Sequence, residues 1–110
     1  MGNLDRLQIL IQFTKEEPEN SFNWYALALE YINSDREETA AIFGELLKSH
    51  PDYLPTYYTS AQFFAEQNQL EKARGIFEKG IELAERLKEE KALKELKNAY
   101  QNFLYENDLD

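Results

Sequence analysis

The sequence predicts an all-α fold, and three observations carry that prediction. Two stretches about 33 positions apart repeat one pattern: Trp24, Leu27, Ala28, Tyr31, Thr39 and Phe43 in the first, Tyr57, Ser60, Ala61, Phe64, Ala73 and Phe77 in the second. Ahead of them, Leu4, Leu7, Leu10 and Ile11 recur at the spacing that places side chains on one helix face. Three Pro and four Gly among 110 residues leave long stretches with nothing to stop a helix.

The elements follow in order. A first helix over 1–17 carries that leucine stripe, with Ile9 and Phe13 beside it, and Pro18 lies in the loop after it. Ser21 is expected to cap the next helix, 22–32, because its hydroxyl can accept a free amide of the first turn. Asn33-Ser34-Asp35 then makes a tight turn, and Asp35 with Glu38 has the spacing of a capping box. The following helix, 36–49, stops ahead of Pro51. From Tyr31 to Thr39 is eight residues and from Phe64 to Ala73 is nine, so the first turn is expected to be one residue short.

Pro55 suits the first turn of the next helix, which runs to residue 66. In Gln67-Asn68-Gln69, Asn68 tolerates the left-handed conformation that often ends a helix. The helix beginning at Leu70 contains Gly75 and Gly80. Each costs about 1 kcal/mol of helix propensity against Ala, and close helix approach is the expected reason. Its stripe of Ala73, Phe77, Gly80, Ala84 and Leu87 loses phase at Glu89-Glu90-Lys91. A break there separates it from a last helix over 92–105, and the residues after Glu106 are expected to fray.

Composition narrows function. The formal net charge of −9 opposes nucleic-acid binding, which needs a basic stripe. Residues 1–13 have no basic leader and no continuous apolar run, so neither a signal peptide nor a membrane span is expected. The chain has no cysteine, which removes disulfides, thiolate metal sites and cysteine nucleophiles and fits the reducing cytoplasm. The one histidine, His50, stands next to Pro51 in a loop, where it complements a helix C-terminus. Glu16-Glu17, Glu37-Glu38 and Glu89-Glu90 are adjacent in sequence and do not share a helix face. Ser21, Ser34, Ser49 and Ser60 belong to no nucleophile motif. The expectation is a protein without catalysis, metal or cofactor.

The repeated pattern resembles the tetratricopeptide repeat family. An aromatic, a pair ending in Ala and a second aromatic form its front helix; a small residue and then Phe form its back helix. The resemblance covers about 21–85. It implies a single domain of two antiparallel helix–turn–helix hairpins, 21–51 and 54–88. These stack as a short right-handed superhelix, flanked by an N-terminal capping helix over 1–17 and a C-terminal helix over 92–105. It also implies that Trp24 packs between the helices of its hairpin and that the protein is a scaffold binding other proteins.

In this family the front helices line a concave groove. By register, the groove positions are Phe22, Tyr25, Leu29 and Ile32 from the first hairpin and Pro55, Tyr58, Gln62 and Ala65 from the second. Asn33 and Glu66 fall at its edge. One subset of the family holds acidic chaperone tails with Lys, Arg and Asn. Here Tyr25 and Leu29 occupy positions where that subset has Lys and Asn, and neither front helix contains Lys or Arg. The resemblance therefore implies an aromatic and apolar groove suited to a peptide or an amphipathic helix. Two repeats are few for a stack, so the alternative is a homodimer in which a second copy fills the groove or pairs the end helices. Arg86, Lys88, Lys91, Lys94 and Lys97 gather late in the chain. The pairs Glu82–Arg86 and Glu90–Lys94 have the favourable order along a helix, and stabilising that helix is their expected role.

Overall fold

A computed structural model describes residues 3–109, and every regular element among them is an α-helix. They are α1 (Asn3–Glu16), α2 (Ser21–Tyr31), α3 (Arg36–Ser49), α4 (Pro55–Glu66), α5 (Leu70–Leu87) and α6 (Glu90–Glu106). Residues 1 and 2, expected in the first helix, lie outside the described residues. The chain forms two compact units, Met1–Tyr53 and Leu54–Asp110.

In the first unit α2 packs on α1 and on α3. Ala28, Thr39, Phe43 and Leu46 are fully buried, and Leu27 and Ile42 are nearly so. The cap of α2 is Asn20, one residue earlier than expected; its side chain accepts from the Phe22 amide at 3.1 Å. Ser21 is freed for another partner, and its Oγ lies 2.8 Å from His50 Nδ1. Asp35 caps α3 as expected, accepting from the Glu38 amide at 3.1 Å. The missing residue is taken from α2 and not from the turn. Helix α2 ends on Tyr31, whereas α4 runs two residues past the matching Phe64, and four residues then link α2 to α3 where three link α4 to α5. Trp24 departs from its expected place in the core. It is half-buried, and its indole Nε1 donates to the Pro18 carbonyl at 2.7 Å. An indole N–H needs a partner, and the loop carbonyl supplies one at the edge of the unit.

In the second unit α5 packs on both α4 and α6. Tyr57, Ala61, Phe64, Ala73 and Phe77 are buried in register with the first hairpin's pattern. Each large apolar side chain fully buried contributes about 1.5–3 kcal/mol. Close approach explains one glycine and not the other. A Cβ on Gly80 would lie 2.7 Å from Tyr57 Cβ, whereas one on Gly75 would meet nothing within 4 Å. The residue matching Gly80 in the first hairpin is Leu46, so that hairpin does not use this device.

Helix α6 is held by rings and by a polar cluster. Phe77 lies 5.5 Å from Tyr100 and 5.4 Å from Phe103, centre to centre. The Tyr100 hydroxyl donates to Glu78 at 2.5 Å, and Arg74 stands 3.8 Å from the same carboxylate. Burial first, and then the hydrogen bond to Glu78, raise the Tyr100 phenol above its ordinary value, while Arg74 opposes them.

All three helices of this unit end on a left-handed residue other than glycine: Asn68, Lys88 and Asp108. At each, the next amide reaches back five residues: Gln69 to Phe64 at 2.9 Å, Glu89 to Ala84 at 3.0 Å and Leu109 to Leu104 at 2.9 Å. This is the Schellman closure. The expected break is therefore present, two residues earlier than expected, and α6 begins at Glu90. Of the residues expected to fray, 107–109 instead close onto α6 through the Leu109 amide.

Three outcomes follow in chemical denaturation. Gly75→Ala should gain about 1 kcal/mol from helix propensity. Gly80→Ala should lose about 1–3 kcal/mol, because its methyl must displace Tyr57; equal gains at both sites would disprove the close approach. Ser60 is fully buried and its hydroxyl has no hydrogen-bond partner among the described residues, so Ser60→Ala should stabilise by about 1 kcal/mol, read as a higher urea midpoint at unchanged slope.

A further outcome concerns pH. The folded-state value of Tyr100 lies above its unfolded value near 10. Its contribution is therefore complete below pH ~10 and lost as pH rises through the folded value. Stability should fall as pH rises above about 10, and Tyr100→Phe should fall less steeply there.

Candidate functional site

The residues that the family register assigns to a groove fall in both units. In the first, Phe22 is 62% exposed and Leu29 is exposed, with Ile9 and Phe13 of α1 also exposed. Tyr25 is half-buried and meets Tyr53 edge-on at 5.8 Å. Burial first, and then Tyr25, raise the Tyr53 phenol above its ordinary value. Ile32 is half-buried as the C-terminal cap of α2. The carboxylate of this front helix, Glu30, accepts from Arg6 at 2.9 Å.

In the second unit Tyr58, Gln62, Ala65 and Glu66 of α4 form one wall of a groove of about 570 Å³. The opposite wall is α6, with Glu95, Asn98, Ala99, Asn102 and Glu106, and Phe77 and Phe103 also contribute. Reading the sequence for front helices missed this second wall. The spacing of 95, 98, 99, 102 and 106 places them on one helix face, but does not say which helix that face opposes. Because α6 brings carboxylates and amides, the groove is more polar than α4 alone implies. Seven of its twelve lining residues are Asn, Gln or Glu, and none is Lys or Arg.

A second cavity of about 450 Å³ adjoins it. Leu54, Pro55, Tyr58, Leu87, Ala92 and Leu96 give it an apolar lining, with Glu89 and Glu95 also present. Tyr58 and Glu95 line both cavities and mark their junction. Primary amides donate and accept, as a peptide backbone does. An amide row beside an apolar cavity can therefore hold a backbone and one large side chain together.

Among the described residues no group of three His, Cys, Asp or Glu is placed to hold a metal ion. No helix is long and apolar enough to cross a membrane among the residues described. The structure does bring Ser21 to His50 across 29 positions, a pairing the sequence did not signal. It joins the start of α2 to the end of α3, where it closes the hairpin.

No family model and no curated protein matches the chain. Two solved structures do. A solution NMR structure of a tetratricopeptide repeat domain protein from Salinibacter ruber is 33% identical, covers 78% of this chain and 88% of that one, and has a TM-score of 0.73. A crystal structure of a tetratricopeptide repeat domain protein from Salinibacter ruber is 30% identical, covers 76% and 96%, and has a TM-score of 0.72. With the helical hairpins, the repeated small and aromatic core positions and this identity together, the chain belongs to the tetratricopeptide repeat family of helical-repeat protein-interaction modules.

Proposed function

We propose that the chain is a non-catalytic scaffold whose α4–α6 groove binds a peptide segment in extended form. One observation carries the reading: the amides of Gln62, Asn98 and Asn102 share a groove that joins an apolar cavity at Tyr58. A helical ligand has already satisfied its own backbone and would leave those amides unused. An extended segment offers free N–H and C=O groups to them and places one side chain in the cavity. This favours a peptide over the amphipathic helix that the front helices suggested by themselves. The cysteine-free composition suits a reducing compartment such as the cytoplasm.

Self-association is the second reading. Its support is the set of exposed Ile9, Phe13, Phe22 and Leu29 on α1 and α2 of the first unit. Light scattering across a hundredfold dilution decides it: a mass that stays at one chain rules the homodimer out.

The groove is tested by peptide display against the full chain. Tyr58→Ala and Asn102→Ala should each weaken the selected peptides about tenfold or more, the effect of removing a central contact. Phe22→Ala, in the other unit, should change affinity less than twofold. Selected peptides indifferent to Tyr58 and Asn102 but sensitive to Phe22 would refute the assignment.

A further inference from the structure

We infer that the segment taken by the α4–α6 groove is basic: one aliphatic or aromatic residue with Lys or Arg on both sides of it. The inference rests on that groove being the peptide site. Three carboxylates, Glu66, Glu95 and Glu106, line the groove, and Glu89 lines the apolar cavity. Neither lining contains a cation. Elsewhere on the chain the picture differs: Glu30 is paired with Arg6 at 2.9 Å, and Glu78 accepts from Tyr100 with Arg74 nearby. The groove's negative charge thus has no partner in its own walls, and a cationic ligand would supply one. The net charge of −9 adds a long-range attraction for cations.

Geometry sets the spacing. The apolar cavity and the groove meet at Tyr58 and Glu95, so the apolar residue of the ligand sits at that junction. Glu66 lies eight residues further along α4. At 1.5 Å per residue that is about 12 Å, which an extended segment covers in about four residues. One basic residue is therefore placed about four positions from the apolar one, toward Glu66 and Glu106. Another lies on the opposite side, toward Glu89. Charge alone does not suffice, since exposed ion pairs are individually weak. The apolar cavity must supply the rest.

Four labelled nonapeptides test this by fluorescence anisotropy against the full chain. The first has a central Leu flanked by Lys at four positions' distance. The second replaces each Lys by Gln, the third each Lys by Glu, and the fourth keeps Lys but replaces Leu by Ser. At 50 mM salt the first should bind about tenfold tighter than the second, or ~1.4 kcal/mol, the size expected of a few exposed pairs. The third should bind more weakly than the second. At 0.5 M salt the tenfold gap should shrink to about twofold as the charges are screened. The triple variant Glu66→Gln, Glu95→Gln and Glu106→Gln should remove most of the gap with helicity unchanged by circular dichroism. Glu95→Gln alone serves if the triple variant loses helicity. Glu37→Gln/Glu38→Gln, on the first unit, should leave affinity as it was.

Equal binding of the first two peptides overturns the basic segment and leaves the peptide site standing. Equal binding of the first and fourth overturns the apolar anchor. A tenfold gap untouched by the groove substitutions overturns the placement. Failure of all four peptides, and of the display-selected ones, overturns the peptide site itself.

Discussion

Phe77 of α5 is buried to about 1% exposure and its ring lies within 5.5 Å of both Tyr100 and Phe103 on α6. It also lines the groove whose other residues come from α4 and α6. Without this ring cluster α6 would keep only Leu96 as a buried residue and the Tyr100–Glu78 hydrogen bond, and an exposed polar contact of that kind contributes little by itself. The groove therefore depends on this apolar cluster. Its polar chemistry comes from α4 and α6, but the distance between those helices is set by what α5 packs beneath them.

Two features make that packing possible. Gly80 lets Tyr57 come closer than any Cβ would permit, so α4 and α5 meet with a large aromatic lying over a bare backbone. The chain must then reverse after Leu87 if α6 is to return along α5. Lys88 adopts the left-handed conformation to do so, and the Glu89 amide closes onto the Ala84 carbonyl. A non-glycine residue in that conformation costs about 1 kcal/mol or more, which the burial of Leu96 and Phe103 offsets several-fold.

The two hairpins share one pattern and use it differently. Small residues match in burial, with Ala28 and Ala61 both fully enclosed, and so do Phe43 and Phe77. The first aromatic diverges: Tyr57 is in the core and Trp24 is at the edge, hydrogen-bonded to the Pro18 carbonyl. The charges diverge as well. The first unit answers its front-helix carboxylate with Arg6, whereas the second unit collects carboxylates and amides on two facing helices. The peptide site we propose therefore lies on the second unit, although the repeat pattern by itself treats the two alike.

The sequence by itself determined the helices, their turns and the family. The spacing of Trp24, Ala28, Thr39 and Phe43 and its recurrence at Tyr57, Ala61, Ala73 and Phe77 are local and periodic, and helix formation is governed by such near neighbours. Asp35, Pro55 and Asn68 marked helix ends because caps and left-handed turns act within four or five residues. The candidate groove was half legible: that Tyr58, Gln62, Ala65 and Glu66 share one face of α4 followed from the repeat register. What α6 contributes did not follow, because Glu95, Asn98 and Asn102 become a wall only once Phe77 holds their helix opposite α4. The same holds for Gly75 and Gly80, identical in sequence signal and opposite in surroundings. It holds too for Ser21 and His50, which meet only when α2 and α3 pack. Each of these is a contact between residues distant in the chain, and only tertiary packing decides which distant residues meet.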